Sequence, residues 1–263
     1  MPVTKILIVG ANGFVGLEVL TLALKNPYLT QIYTLSRQPL PNNLSSHKKV
    51  TQLLHPDFNT IPPALYETLR DSGVQACIWA VGKPNLKQYK NLDEAREVLI
   101  QLPVKVAEDL AKVCAVPAME AQGGKFIHPF RFVFVSAWGA ERDSNRSLWV
   151  WGESRKIKGA AEKALVDIME ASEIVDGKRS FEVTCLRAGT ALMRGKDLGT
   201  VIAMGTTPSI AVDLLARRAI GVALDGEVDG KRILENAEIM GPDWADINII
   251  NGRDRIKDYD EFS

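Results

Sequence analysis

The chain has 263 residues and equal numbers of basic and acidic side chains, 32 of each. This balance argues against a polyanionic partner, so we expect binding of neither nucleic acid nor an acidic membrane and favour a small-molecule substrate. The length fits one large α/β domain, and we expect residues 1–263 to form a single unit with substrate-side elements from about residue 187. The oligomeric state stays open.

Cysteine usage and the first residues bear on the compartment. Cys77, Cys114 and Cys185 are odd in number, far apart and mostly set in apolar runs, which is typical of reduced buried thiols. The chain enters the apolar segment TKILIVG without signal-peptide features, and no apolar stretch approaches the ~20 residues that span a bilayer. We therefore expect a cytoplasmic protein. The three histidines lack metal-ligand spacing, so no metal is expected.

Strand-length apolar runs alternate with segments of helical period. The pattern predicts strands at KILIVG, QIYTLS, ACIWAVG, FRFVFVS and FEVTCLR, and helices at 13–25, 64–71, 91–115, 154–171 and 209–225. The strands are almost continuously apolar, which indicates that helices cover both faces of a parallel sheet. We predict a Rossmann-type, doubly wound α/β fold with a small substrate-side region at the carboxyl-terminal end.

Two features interrupt this pattern. Pro103 lies inside the predicted helix 91–115, where we expect a kink or the start of a second helix. The segment VPAMEAQGGKFIHPF, residues 116–130, is predicted as a loop inserted before a strand.

The turn GANGFVG between the first strand and the first helix predicts a dinucleotide site. Glycine permits a tight turn at the first position, close approach of a pyrophosphate at the second and close helix packing at the third, and the helix N-terminus attracts negative charge. A tight turn without a ligand is the alternative. The predicted cofactor-binding residues of this turn are Gly10, Asn12, Gly13, Phe14, Val15 and Gly16.

The end of the second strand selects the cofactor. An acidic residue there would bind the ribose of NAD, but the sequence has Ser36 and Arg37, which suit the 2′-phosphate of NADP(H). A solvated loop arginine is the alternative. Further along, the strand ACIWAVG ends in Ala80, Val81 and Gly82, which we expect to border the cofactor, with Gly82 permitting close backbone approach.

The segments GANGFVG, TLSRQP, WAVGKP, FVFVSAWGA, SRKIKGAAE and LRAGTAL follow one another in the order and spacing of a known family. With them the chain resembles the atypical short-chain dehydrogenases/reductases, nearest to the Tat-interacting-protein-like and NmrA-like branches, over roughly residues 4–225. In that family a serine at the end of the fifth strand, a tyrosine and a lysine four residues later carry the reduction, and a Rossmann core holds NADP(H).

The resemblance implies catalytic roles at Ser136, which matches the serine, and at Lys158, which matches the lysine that also holds the nicotinamide ribose. The tyrosine position is occupied by Ser154, and the family's asparagine or aspartate falls near Ile100. These are departures. Residues 187–189, Arg-Ala-Gly, take the place of the Arg-Pro-Gly turn, so the resemblance places Ala188 and Gly189 near the nicotinamide.

Structural roles remain open for two of these residues. Lys158 falls just beyond the apolar arc of its helix, where a lysine commonly extends to solvent or pairs with a carboxylate. Ser136 could instead bond its own turn.

A serine hydroxyl is too weak an acid to replace the tyrosine, so three functions remain. The first is an NADPH-dependent reductase of a small, apolar or aromatic carbonyl, enone or imine, which is favoured because Ser136 and Lys158 are both present. Its proton would come from Lys158, Tyr89, Glu153 or water, unless a cationic acceptor needs none. Trp138, Trp149 and Trp151 could stack on such a substrate, with core packing as the alternative and more frequent role. The second is an NADP(H)-binding sensor without turnover. The third is a non-redox isomerase or cyclase.

Overall fold

The computed structural model describes residues 3–120, 128–193, 208–227 and 230–241. The amino-terminal half alternates strands with helices: β1 Lys5–Val9, α1 Phe14–Lys25, β2 Gln31–Ser36, α2 Asn42–Ser45, β3 Val50–Leu54, α3 Pro63–Asp71 and β4 Ala76–Trp79. A helical run follows, with α4 Leu92–Arg96, α5 Leu102–Leu110 and α6 Val116–Glu120 joined by π-helical turns at Glu97–Gln101 and Ala111–Ala115. Short 3₁₀ turns lie at Phe58–Thr60 and Leu86–Gln88.

The carboxyl-terminal half completes the sheet. Its elements are β5 Phe130–Ala137, α7 Gly152–Ala171, β6 Ile174–Val175, β7 Lys178–Arg179, β8 Phe181–Ala188, β9 Thr190–Leu192, β10 Ser209–Ala211, α8 Val212–Asp225, β11 Ile233–Glu235 and α9 Asn236–Met240.

Within the described ranges, seven parallel strands form the central sheet in the order β3-β2-β1-β4-β5-β8-β11. The chain winds outward in both directions from the β1/β4 boundary. In open α/β sheets, ligands bind beyond the carboxyl ends of the strands at this switch point. The predicted Rossmann-type fold is confirmed.

Helices cover both faces, as the apolar strands predicted. On β5, Phe130, Phe132 and Phe134 pack into the core shared with α5 and α7, whereas Val133 points into the opposite core beneath α1 and α8. This alternation is what a strand buried on two sides requires. The three cysteines are buried free thiols, as predicted.

The structure corrects several predicted boundaries. Residues 116–120, expected in a loop, continue the helix as α6, and residues 121–127 lie outside the described ranges. Residues 209–211 form β10 rather than the first turn of the helix 209–225. Pro103 lies in the first turn of α5, directly after the π-helical turn Glu97–Gln101, so the helical run continues through the proline and α5 begins beside it.

The sequence reading missed β3 and β11. The residues of β3 are mostly half-buried at an edge of the sheet, and β11 has only three residues, so neither carries a long apolar run. None of the described helices combines the length and hydropathy needed to cross a bilayer.

Candidate functional site

The glycine turn after β1 has the predicted shape. Gly10 has φ +91°, a conformation that favours glycine, and a side chain there would meet the backbone oxygen of Ala80 at 2.8 Å. Gly16 is forced by packing, because its Cβ would lie 2.1 Å from the Gly10 oxygen. Both glycines are therefore required by the fold.

The start of α1 is open to an anion. Gly13 is the N-cap residue and provides no side-chain cap, and no acidic residue lies in the first turn. The amides at a helix start lack partners within the helix, so backbone donors and positive potential are both available here. A Cβ at Gly13 would come within 3.2 Å of the Gly10 oxygen. Phe14 is half-exposed beside it, and Val15 is partly buried.

Asn12 ties this turn to the loop after β2. Its side-chain amide donates to the backbone oxygens of Gln38 at 2.7 Å and of Pro39 at 3.3 Å. The amide of Gly10 also donates to Leu35 O at 3.3 Å. Asn12 thus holds the loop that carries Arg37 against the glycine turn, and its contact with a cofactor stays a prediction.

The two residues expected to bind a 2′-phosphate differ in availability. Ser36 is buried, and its hydroxyl donates to Gln38 O at 2.8 Å, so the turn itself uses this donor. Arg37 is exposed, and its guanidinium has no hydrogen bond or ion pair within the described residues. Among these two side chains, Arg37 is the one free to bind an anion.

The segment after β4 lies against the glycine turn. Ala80 N donates to Val9 O at 2.9 Å, and the Ala80 oxygen and the Val81 side chain crowd the Cβ position of Gly10. Gly82 has φ +151°, which side chains rarely adopt. Ala80, Val81 and Gly82 therefore lie next to the glycine turn, and their contact with a cofactor stays a prediction.

Lys158 lies on the other side of Gly82. A Cβ built at Gly82 would be 3.7 Å from Lys158 Nζ and 3.8 Å from the Tyr89 hydroxyl. Lys158 Nζ also lies 5.3 Å from the centroid of the Phe134 ring. Burial lowers the pKa of Lys158 to about 8, although the carboxylate of Glu162 acts in the opposite direction. A hydroxyl oxygen or an anion that binds beside this ammonium would stabilise its charged form.

Ser136 belongs to a buried ion-pair network. Its hydroxyl donates to Glu162 Oε1 at 2.6 Å, and Glu162 is fully buried. Arg187 donates to the same carboxylate from Nη2 at 2.6 Å and from Nε at 3.0 and 3.1 Å, and also reaches Glu235 at 2.8 Å. Pairing with Glu162 raises the pKa of Arg187 despite its burial. Ser136 lies at the end of β5, as predicted, but its hydroxyl already donates its proton to Glu162 in a hydrogen bond.

The sequence analysis did not single out Glu162. It lies one helical turn after Lys158 on the buried side of α7. A carboxylate among apolar neighbours on a helix face is the signal that could have identified it, because buried acids are rare unless paired.

The loop between β5 and α7 shapes the entrance. Gly159 permits close contact between this loop and the helix, since a Cβ there would lie 1.8 Å from Glu141 O. Ser154 is half-buried in the first turns of α7, one turn before Lys158. Three tryptophans of the loop are exposed: Trp138 by 38%, Trp149 by 100% and Trp151 by 55%. Such exposure fits ligand contact better than core packing.

The turn after β8 is fixed by the backbone. Ala188 O accepts from Trp138 N at 2.7 Å, and Gly189 N donates to Asn236 Oδ1 at 2.7 Å. A Cβ at Gly189 would lie 2.0 Å from Pro208 O, so only glycine fits. These contacts hold residues 188 and 189 beside the end of β5. Among the described residues, no group of three His, Cys, Asp or Glu side chains could hold a metal ion.

No protein-family model matches the sequence, and no curated protein matches it. Solved structures do resemble it. A yeast methylglyoxal/isovaleraldehyde reductase complexed with NADPH superposes with a TM-score of 0.63 at 15% identity, over 88% of this chain and 77% of that one. A short-chain dehydrogenase/reductase from Mycobacterium ulcerans gives 0.59 at 16% identity, over 97% of both chains.

Another protein with a similar structure is an epimerase rather than a reductase. The UDP-glucose 4-epimerase of Thermotoga maritima, solved with UDP-glucose, gives a TM-score of 0.56 at 14% identity, over 82% of this chain and 72% of that one. Reductases and an epimerase thus share this architecture, and identities this low show the fold alone. The chain has the Rossmann-type α/β fold of these nucleotide-binding enzymes.

Proposed function

We propose that the chain is an NADP(H)-dependent oxidoreductase of the atypical short-chain dehydrogenase/reductase type. The observation that carries this proposal is the open helix start at Gly13 together with Arg37, whose guanidinium has no partner in the described part of the chain. The helix start offers backbone N–H donors to a pyrophosphate, and Arg37 offers a planar cation to a 2′-phosphate.

The residues present fit the cofactor. A pyrophosphate would lie at the start of α1, where a Cβ at Gly13 would intrude. The adenosine end would lie toward Arg37, which Asn12 holds in place through the loop after β2. The nicotinamide end would lie toward Gly82, Lys158 and Gly189. This arrangement follows the switch point of the sheet and supports the residues predicted for the cofactor.

Each part of the chain then has a defined task. Bound NADPH supplies the hydride. Lys158 would hold a ribose hydroxyl of the bound cofactor and would add positive charge near the reacting atoms. Ser136 acts indirectly, because its hydroxyl orients Glu162, whose carboxylate fixes Arg187 and the strand end. The exposed tryptophans of the β5–α7 loop suit a small apolar or aromatic substrate with a carbonyl, enone or imine group.

The experiment is a turnover assay with purified protein. NADPH absorbance is followed after mixing with benzaldehyde, phenanthrenequinone, cyclohexenone and N-methyl-dihydroisoquinolinium. Consumption of NADPH with formation of a reduced product supports the proposal. Cofactor binding without consumption across this panel would favour the sensor, and a converted substrate without net NADPH change would favour the isomerase or cyclase. Both outcomes would contradict the reductase.

A further inference from the structure

We propose that Tyr89 replaces the missing helix tyrosine: its hydroxyl, which like Lys158 Nζ borders Gly82, donates the proton to the oxygen of a reduced carbonyl. This assignment rests on the proposed reductase function. The proton donor would then lie in the segment between β4 and α4 rather than on α7. The residue spacing within α7 does not indicate this position.

The phenol of Tyr89 is held in place with its proton unused. Tyr89 is 6% exposed, and its ring packs with Ala95, Leu99 and Ile157. The hydroxyl oxygen accepts from the amide of Lys83 at 2.7 Å. Within the described residues the phenolic hydrogen has no acceptor. A buried hydroxyl normally has its donor satisfied, so this proton is available to a ligand.

The loop is built to present this side chain. The 3₁₀ turn Leu86–Gln88 leads directly into Tyr89, and Asn85 caps the turn by accepting from Lys87 N at 2.9 Å. Lys83 braces the ring, because its Nζ donates to Gln88 O at 2.7 Å and lies 4.8 Å from the ring centroid. The tyrosine is therefore fixed by backbone, side-chain and cation–π contacts.

The Tyr89 hydroxyl and Lys158 Nζ both border Gly82, close to the proposed cofactor site. The Tyr89 oxygen and Lys158 Nζ are both within 4 Å of the Cβ position of Gly82. Two residues earlier, Ala80 lies against Gly10 of the glycine turn. A phenol and an amine thus both border Gly82 after the carboxyl end of β4, and they are the same two groups that the resembled family places on one helix.

Three side chains near the site, Ser136, Glu153 and Ser154, are less suitable acids than Tyr89. Ser136 donates its proton to Glu162. Glu153 is exposed, with 61% of its side chain accessible, and lies 3.8 Å from Arg96. The hydroxyl of Ser154 is a far weaker acid than a phenol, whose ordinary pKa is about 10. Tyr89 offers a phenolic proton that none of the described residues accepts, and its hydroxyl and Lys158 Nζ both border Gly82.

The proton and electron balance is complete. Hydride moves from NADPH to the carbonyl carbon, the π electrons of the C=O bond move to oxygen, and that oxygen takes the proton of Tyr89. The products are NADP⁺, an alcohol and a tyrosinate beside the Lys158 ammonium. Burial and the Glu94 carboxylate raise the pKa of Tyr89, which disfavours the tyrosinate, whereas the hydrogen bond from the Lys83 amide acts in the opposite direction. One proton from solvent restores the phenol.

The test compares Tyr89→Phe with Tyr66→Phe, a second buried tyrosine that lies in the core under the sheet. Reduction of benzaldehyde and of N-methyl-dihydroisoquinolinium is measured with each protein, together with NADPH affinity and thermal unfolding. The iminium acceptor needs no proton during hydride transfer. We expect Tyr89→Phe to slow benzaldehyde reduction by about 10²–10⁴-fold, the usual contribution of a general acid. Its iminium reduction and NADPH affinity should be preserved, and Tyr66→Phe should preserve both reductions.

The outcomes separate this assignment from the reductase proposal. If wild type reduces both acceptors and Tyr89→Phe loses neither, or loses both equally, the proton-donor role is overturned while the reductase remains. If wild type reduces neither acceptor, the reductase proposal fails and this assignment fails with it. If Tyr89→Phe loses benzaldehyde reduction but keeps iminium reduction, and the rate of the remaining benzaldehyde reduction no longer depends on pH, the result supports Tyr89 as the acid.

Discussion

Arg187 Nη2 lies 2.6 Å from the carboxylate of Glu162, the most deeply buried charged side chain of the site. The pair joins α7 to β8, and Ser136 at the end of β5 donates to the same carboxylate. The carboxylate of Glu162 on α7 therefore binds side chains of both β5 and β8, and all three elements border the proposed nicotinamide site.

Arg187→Ala tests how much the ion pair between Arg187 and Glu162 stabilises the fold. Removing one partner of a buried pair leaves an uncompensated charge, so we expect the free energy of unfolding to fall by about 3–5 kcal/mol in denaturant titration. Arg96→Ala is the control, because its ion pair with Glu153 is exposed and should contribute at most about 1 kcal/mol. Equal losses in the two variants would contradict the network's role.

The lowered pKa of Lys158 predicts a pH-dependent stability difference. Between about pH 8, its folded value, and 10.5, the ordinary value, the unfolded chain binds more protons at this site, so stability rises with pH. Below this window the charged lysine carries its full desolvation cost. Lys158→Met removes that cost.

We therefore expect Lys158→Met to be stabilised relative to wild type at pH 7, and this advantage to shrink by about 1–3 kcal/mol by pH 10. Urea unfolding at the two pH values measures it. Lys163→Met, on the exposed face of the same helix, should show no such trend. A difference for Lys158→Met that does not change with pH would show that the ammonium is well solvated.

Restoring the missing tyrosine is a gain-of-function test. Ser154→Tyr places a phenol one turn before Lys158, as in the resembled family, so we expect faster benzaldehyde reduction and recovery of activity when it is combined with Tyr89→Phe. A positioned acid contributes about 10²–10⁴-fold, which sets the scale of recovery. NADPH consumption provides the measurement. Lys163→Tyr is the matched control, and equal gains in both variants would argue against a specific acid.

The sequence predicted those parts of the site that depend on local rules. The glycine turn could be predicted because a strand, a tight turn and a helix start are contiguous, and Arg37 because its position follows from the end of β2. The long strands β5 and β8 were equally clear from their apolar runs, whereas β3 and β11 lacked such runs because they are an edge strand and a three-residue strand.

The parts that depend on tertiary contacts were not predictable. Ser36 looked available in sequence, but its hydroxyl completes a turn with Gln38. Tyr89 and Lys158 belong to different elements and meet only because both border Gly82. Glu162 brings together Ser136 and Arg187 from two neighbouring strands. No periodicity or spacing encodes these pairings, since they arise from how α7 packs on the sheet.

The central claim is that the glycine turn and Arg37 bind NADP(H), and isothermal titration calorimetry tests it most directly. NADPH and NADH are titrated into wild type, Arg37→Ala and Arg70→Ala, an exposed arginine on α3 that pairs with Asp71. We predict that wild type binds NADPH more tightly than NADH. Arg37→Ala should lose this preference, with NADPH binding weakened by about 1.5–3 kcal/mol, as for hydrogen bonds to charged groups. Arg70→Ala should bind like wild type. Absence of heat with both nucleotides in folded wild-type protein would contradict the account.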